Sequence, residues 1–249
     1  MKLLQQVCLV TGGSKGIGAA TALALAAEGC DVAIVGRRLD AEARETQRQI
    51  EALGRRCAFI LADVALAAEA TRCVEETAKE LGAVDVLVHA AGGPANGGLL
   101  ELTSAAWHSA FDVHLHAIFH LCRAAVPAMR EKKRGVIILI SSAAGIRGIK
   151  TNVAYQAVKG ALPQLTRALA YEFASDNIRV NCVAPGVIRT AFHAAMSPQT
   201  RQFNLENRIP LHREGTPEQV ASLIRELVLN DYITGETATV DGGLTMRIA

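Results

Sequence analysis

Tyr155 and Lys159 stand four residues apart, with Ser142 shortly upstream. On a helix, residues at this spacing share a face, so the phenol and the ammonium point the same way. A free tyrosine, with a pKa of about 10, is a poor base at neutral pH. A neighbouring ammonium favours phenolate and lowers that value. Ser142 closes the apolar run Ile137–Ile140, where its hydroxyl can hold a substrate oxygen against the phenol. The three side chains suit proton transfer at an alcohol or carbonyl oxygen. Tyr-x-x-x-Lys alone is a weak pattern, commonly a solvated lysine beside a packed tyrosine. A second element must bind the group that supplies or accepts the hydride.

Thr11-Gly12-Gly13-Ser14-Lys15-Gly16-Ile17-Gly18 is that element. The run Val7–Val10 reads as a strand and Ala19–Ala27 as a helix, with the glycine turn between them. Glycines permit close approach of a pyrophosphate, and a helix N-terminus offers free N–H groups with a favourable dipole. A glycine turn in this context predicts nucleotide binding. After the second strand comes Val35-Gly36-Arg37-Arg38, with no carboxylate until Asp40. A carboxylate there would serve a ribose 2′-hydroxyl. Arg37, Arg38 and Lys15 suit a 2′-phosphate instead, which predicts NADP(H) over NAD(H). Asp63, followed by Val64 after the third strand, can accept a hydrogen bond from an adenine amino group.

Positioning these residues takes a regular alternation of elements. Strands are predicted at Val7–Thr11, Val32–Val35, Cys57–Leu61, Val84–His89, Val136–Ser141, Ile178–Val183 and Thr237–Val240. Helices are predicted near Gly16–Glu28, Ala41–Ala52, Ala67–Leu81, Ala105–Glu131, Asn152–Ala174 and Pro217–Leu229. Several strands are apolar throughout, as parallel strands covered on both faces are. The expected fold is α/β: a Rossmann-type, doubly wound parallel sheet of about seven strands with helices on both faces. Thr216, Pro217 and Gln219 form a helix-start signal before the last helix. Residues 1–249 read as one domain, with a polar excursion from Thr190 to Gly215 that contains Pro198 and Pro210.

Composition narrows the classes further. Of 249 residues, 50% are hydrophobic and 20% charged, enough apolar surface for a large core. A net charge of +2, without basic blocks, gives no reason to expect a nucleic-acid partner. Cys8, Cys30, Cys57, Cys73, Cys122 and Cys182 form no Cys-x-x-Cys pair and read as reduced thiols. The N-terminus lacks the apolar run and cleavage site of a signal peptide, and no stretch approaches the roughly 20 apolar residues of a membrane span. A soluble cytoplasmic protein is expected.

With these motifs in this order, the chain resembles the short-chain dehydrogenase/reductase family over essentially its whole length. The resemblance implies that Gly12, Ser14, Lys15, Gly16, Ile17 and Gly18 form the cofactor turn. It gives Ser142, Tyr155 and Lys159 catalytic roles, with Lys159 also binding the nicotinamide ribose. Asp63 and Val64 correspond to the adenine contact. Ala90, Ala91 and Gly92 lie beside the cofactor, and Pro185, Gly186, Ile188 and Thr190 flank the nicotinamide. The segment through Asp241-Gly242-Gly243 matches the family's C-terminal signature. Residues 190–215 become a substrate lid, and a homotetramer pairing the two long helices is expected.

Two departures stand out. The family usually reads Asn-Asn-Ala-Gly where this chain has His89-Ala90-Ala91-Gly92, so a bracing contact must be replaced elsewhere. The family's fourth catalytic residue is an asparagine where this chain has His114. A histidine can hold a water and titrate near neutral pH, which predicts a proton relay through His114. Three rival readings remain. His116 and His120, at i and i+4 beside His114, raise a metal site, but no acidic residue or thiolate joins them at motif spacing. A regulatory protein that binds the cofactor without catalysis is the second. The third, an NAD-dependent sugar or polyol dehydrogenase, concerns the substrate. Arg147, Lys150, His193, Arg201, Arg208, His212 and Arg213 around the cleft would favour an anionic substrate or an acyl carrier. A 3-oxoacyl thioester is one candidate, although fold and catalytic residues do not fix substrate.

Overall fold

In the computed structural model, residues 3–193 and 196–246 are described, the side chain of His193 excepted. Seven strands form one parallel sheet: β1 Val7–Thr11, β2 Asp31–Gly36, β3 Cys57–Leu61, β4 Val86–His89, β5 Gly135–Ile140, β6 Ile178–Pro185 and β7 Thr237–Val240. Their order is β3-β2-β1-β4-β5-β6-β7. The central strands are buried along their full length. Their apolar runs need cover on both faces, and they receive it. One core packs the sheet against α3 (Ala67–Glu80), α5 (Ala117–Glu131) and α6 (Val153–Phe173). The other packs it against α1 (Gly16–Ala27), α2 (Ala41–Ala52) and α8 (Pro217–Leu229).

The order of build reverses between β1 and β4, which pair in register from Cys8↔Val86 to Thr11↔His89. In such sheets the ligand crevice lies beyond the carboxyl ends of the strands at this switch point. The glycine turn follows β1, and His89-Ala90-Ala91-Gly92 follows β4. Both therefore face the same crevice.

Two elements differ from expectation. The helix predicted at Ala105–Glu131 is interrupted: α4 (Ser104–Phe111) runs into a π-helical turn, Asp112–His116, before α5 begins. There the Ala117 N–H bonds back to Asp112 O and Leu115 O, passing over Val113 O, its partner in a regular α-helix. One inserted residue changes the hydrogen bonding without disturbing the apolar pattern enough to be seen. The excursion after β6 is also more ordered than predicted. It contains α7 (Pro198–Phe203) and a second π-helical turn, Asn204–Arg208, and it returns to the sheet where Gly215 bridges Ile188. The start of α8 is as read from sequence: Thr216 and Gln219 complete a capping box, with Pro217 in the first turn.

Candidate active site

Ser142 leaves β5 and caps a short 3-10 turn, Ala143–Gly145, by accepting the Ala144 N–H at 3.1 Å. Helix α6 lies hard against this turn, since a Cβ on Gly145 would come within 2.6 Å of the Lys159 backbone. Two further bonds lock the contact. The Ser141 hydroxyl donates to Lys159 O at 2.6 Å, and the Lys159 ammonium donates to Ile140 O at 2.7 Å. Ser142, Tyr155 and Lys159 are thereby brought together, the serine hydroxyl close enough to the phenol to act on its pKa and Lys159 Nζ lying 5.6 Å from the phenol ring centroid.

The electrostatics depart from expectation at Tyr155. Burial raises its pKa, and the Ser142 hydrogen bond offsets this only in part. The phenol is therefore held protonated, whereas the spacing with Lys159 predicts a lowered value. Lys159 itself is pulled down to about 8, chiefly by burial, because a desolvated ammonium is costly.

His114 sits edge-on to Tyr155, with ring centroids 5.6 Å apart and planes at 88°. Its Nε2 lies 3.0 Å from Gly93 O. A carbonyl only accepts, so Nε2 carries the proton and Nδ1 presents a lone pair. Nδ1 is buried without a hydrogen-bond partner. Burial, then the nearby Lys159 charge, pushes the His114 pKa down to about 3. The expectation that His114 titrates near neutral pH is thus corrected: its ring stays neutral, edge-on to Tyr155, with Nδ1 against Gly92.

The bracing contact missing at Ala90 reappears through His89, which sequence reasoning did not single out. Thr11 Oγ1 lies 2.9 Å from His89 Nδ1, and His89 Nε2 lies 2.9 Å from Val113 O. The Ala91 N–H donates to the same Thr11 oxygen at 3.2 Å. Val113 O fixes Nε2 as the donor, so the Thr11 hydroxyl donates to Nδ1. Burial pushes the His89 pKa down to about 4, in keeping with a neutral ring.

The glycine turn fits a dinucleotide. Gly12 and Gly16 adopt φ of +65° and +56°. A Cβ on Gly12 would approach within 2.9 Å of Ala90 and Ala91, and one on Gly18 would strike Gly12 O at 2.1 Å. Ile17 packs on the core beside β1. Ser14 O accepts the Thr46 hydroxyl, tying the turn to α2. Across the opening, Thr190 comes within 3.3 Å of a Cβ on Gly16. Gly92 lies against the His114 ring. Gly186 continues from Pro185 and abuts Asp241, and Ile188 is buried behind them. At the other end of the cleft, a cavity of about 420 Å³ is lined by Arg37, Leu61, Ala62, Asp63, Glu69 and Arg72, and Val64 is buried beside it. Asp63 also accepts the Ala65 N–H. Arg37 and Arg38 are exposed, and among the described residues neither forms an ion pair. Lys15, by contrast, pairs with Glu42 at 3.2 Å.

The basic residues of the excursion are less available than their sequence suggests. Arg189 and Arg201 both pair with the buried Glu214, at 3.3 and 2.9 Å. Arg208 donates to Asn204 Oδ1, His212 bonds Leu205 O, and Arg213 donates to Gln219. Arg147 and Lys150 are exposed, and the side chain of His193 lies outside the described residues. Most of the positive charge predicted for an anionic substrate is thus engaged within the protein. Phe192 instead places an aromatic ring 5.9 Å from Tyr155. The neighbouring histidines are engaged too: His116 pairs with Asp112 at 2.9 Å and the His120 ring meets Phe119. Among the described residues, no three His, Cys, Asp or Glu side chains cluster as a metal site would require.

Comparison with known proteins agrees with this geometry. The family model described as enoyl-(acyl carrier protein) reductase matches residues 12–245. A 3-oxoacyl-[acyl-carrier-protein] reductase of Chlamydia muridarum is 35% identical, over 97% of this chain and 98% of its own. The corresponding protein of Synechocystis is 38% identical over 98% of each. A solved structure of a short-chain type dehydrogenase/reductase from Mycobacterium marinum superposes with a TM-score of 0.92 at 31% identity, covering 99% of this chain and 98% of that one.

Proposed function

The chain belongs to the short-chain dehydrogenase/reductase family and moves a hydride between a nicotinamide dinucleotide and a CH–OH or keto group; from that premise we propose that it is an NADPH-dependent ketone reductase whose substrate class is the 3-oxoacyl thioesters. The observation that carries this reading is the meeting of Ser142, Tyr155 and Lys159 beside a cleft that suits a dinucleotide. The names of the relatives favour the thioester. The aromatic Phe192 beside Tyr155 suits an acyl chain better than a polyol. The unpaired Arg37 and Arg38 support the 2′-phosphorylated coenzyme.

In this reading the glycine turn holds the pyrophosphate, Asp63 and Val64 the adenine, and Ala90 to Gly92 the adjoining ribose. Pro185, Gly186, Ile188 and Thr190 line the nicotinamide. The coenzyme supplies the hydride. Ser142 positions the substrate oxygen against Tyr155, whose protonated phenol donates as negative charge develops there. The Lys159 ammonium stabilises the phenolate that results. His114 accepts from the proton path as a neutral ring. Residues 190–215 cover the substrate as a lid on a single Rossmann domain. The exposed Phe119 on α5 and Tyr171 on α6 fit association of these helices in a homotetramer. Six free thiols and the lack, among the described residues, of a helix able to cross a membrane fit a cytoplasmic location.

The test is oxidation of NADPH, with NADH in parallel, across 3-oxoacyl thioesters, simple ketones and keto sugars. Turnover should be fastest with NADPH and a 3-oxoacyl thioester. Tyr155→Phe should lower kcat by roughly 10²–10⁴-fold while the Kd for NADPH is unchanged. A preference for keto sugars with NADH would replace the reading with a polyol dehydrogenase. Tight NADPH binding with no turnover on any member would replace it with a regulatory protein.

A further inference from the structure

We propose that His89 is a positioning residue: it pins the π-helical turn Asp112–His116 and thereby sets His114 against Tyr155. The inference rests on reading Tyr155 as the proton-transfer residue, and it assigns a role to a side chain outside that set. A π-helical turn displaces backbone bonds by one residue, and here the Ala117 N–H goes to Asp112 O rather than to Val113 O. The carbonyl passed over is the one His89 Nε2 meets, at 2.9 Å. A buried carbonyl without a donor is costly, so this bond holds the inserted residue in place. His114 follows Val113 directly, and its register decides whether its ring reaches Gly93 O and the edge of Tyr155.

The pin is itself anchored. His89 ends β4, and its other nitrogen takes the Thr11 hydroxyl at the end of β1. That hydroxyl accepts the Ala91 N–H on the segment after β4. One buried imidazole therefore joins the strand that feeds the glycine turn to the helical turn that carries His114. Only a side chain with a donor and an acceptor on opposite sides can do both. Glutamine has both groups, and leucine fills a similar space with neither.

The experiment compares the wild-type protein with His89→Leu and His89→Gln. The His114 imidazole signals are assigned in ¹⁵N spectra by their loss in His114→Asn. In His89→Leu the His114 signals should shift, and kcat should fall about tenfold or more with the substrate KM within threefold. His89→Gln should restore both towards wild type. A folded His89→Leu protein with unmoved His114 signals and unchanged kcat overturns the proposal. So does a loss of kcat that His89→Gln fails to restore while the His114 signals stay in place. If His89→Leu does not fold, the wild-type spectrum decides. His89 must be the Nε2–H tautomer, and an Nδ1–H tautomer cannot donate to Val113 O and overturns the pin. The spectra need no substrate, so failure of the proposed activity and failure of the pin are told apart.

Discussion

Lys159 and Tyr155 carry opposite demands at one site. Burial keeps the phenol protonated and at the same time pulls the lysine down to about 8. The ammonium is charged below that pH and is lost as pH rises through it. The kcat for ketone reduction should therefore be flat from about pH 5 to 7 and fall above about pH 8, approaching tenfold per unit. A pH–rate profile with saturating coenzyme checks this. With His114 at about 3 and His89 at about 4, neither imidazole adds an inflection near 6.5. An inflection there would mean that one of them titrates in the working enzyme. The i, i+4 spacing placed Tyr155 and Lys159 together, because a helix converts spacing directly into proximity, and Ser142 with the glycine turn gave that weak pattern its meaning. The sign of the tyrosine shift was not legible, because it depends on burial by residues far apart in the chain. His89 went unnoticed as a site residue for the same reason: its partners Thr11 and Val113 lie 78 and 24 residues away.

Among the elements, strands were the most legible, because parallel strands buried on both faces are continuous apolar runs. The start of α8 was equally plain from its local capping signal. The break between α4 and α5 was not, since a π-helical turn keeps the helix going and has no signature residue. Charge in the excursion 190–215 was legible only in part, for a different reason. Arg201 can be read in sequence as part of a cationic rim, but Glu214, only 5% exposed in its side chain, gathers it together with Arg189 just before the excursion. Removing a buried partner leaves both guanidinium groups without their counter-charge. In Glu214→Gln the excursion should open more readily, with protease cleavage within residues 190–215 about fivefold to tenfold faster, corresponding to ~1 kcal/mol of local stability. The thermal midpoint of the whole protein should move little. Equal cleavage rates under limited proteolysis would show that the ion pairs do not hold the segment.

For the molecule as a whole, the two buried histidines link the site to acid stability. Both have folded-state pKa values below the ordinary 6.5. The unfolded chain therefore binds more protons between about pH 4 and 6.5, and folding stability rises with pH across that window. Each ring should cost roughly 1.4 kcal/mol per pH unit as the solution is acidified below 6.5. Chemical denaturation at several pH values should show a slope that becomes shallower in His89→Gln. An unchanged slope would mean that His89 is already protonated in the native state. The doubly wound topology was legible from alternation alone, whereas the pairing of β1 with β4 came from the structure.

The bond between Thr11 and His89 spans 78 residues, and closing a flexible loop of that length costs about 4 kcal/mol of chain entropy. The cost is met only once β2 and β3 have been laid down and β4 has docked on β1. A nascent chain that stops short of β4 can form the glycine turn, but it has no second wall for the cleft. Coenzyme then rewards completed chains alone, since a ligand that binds only the native state stabilises only that state. The dinucleotide thus serves as an inspector of assembly. In a refolding experiment its fluorescence should change with the last kinetic phase, and a change in the first phase would show that half a sheet suffices.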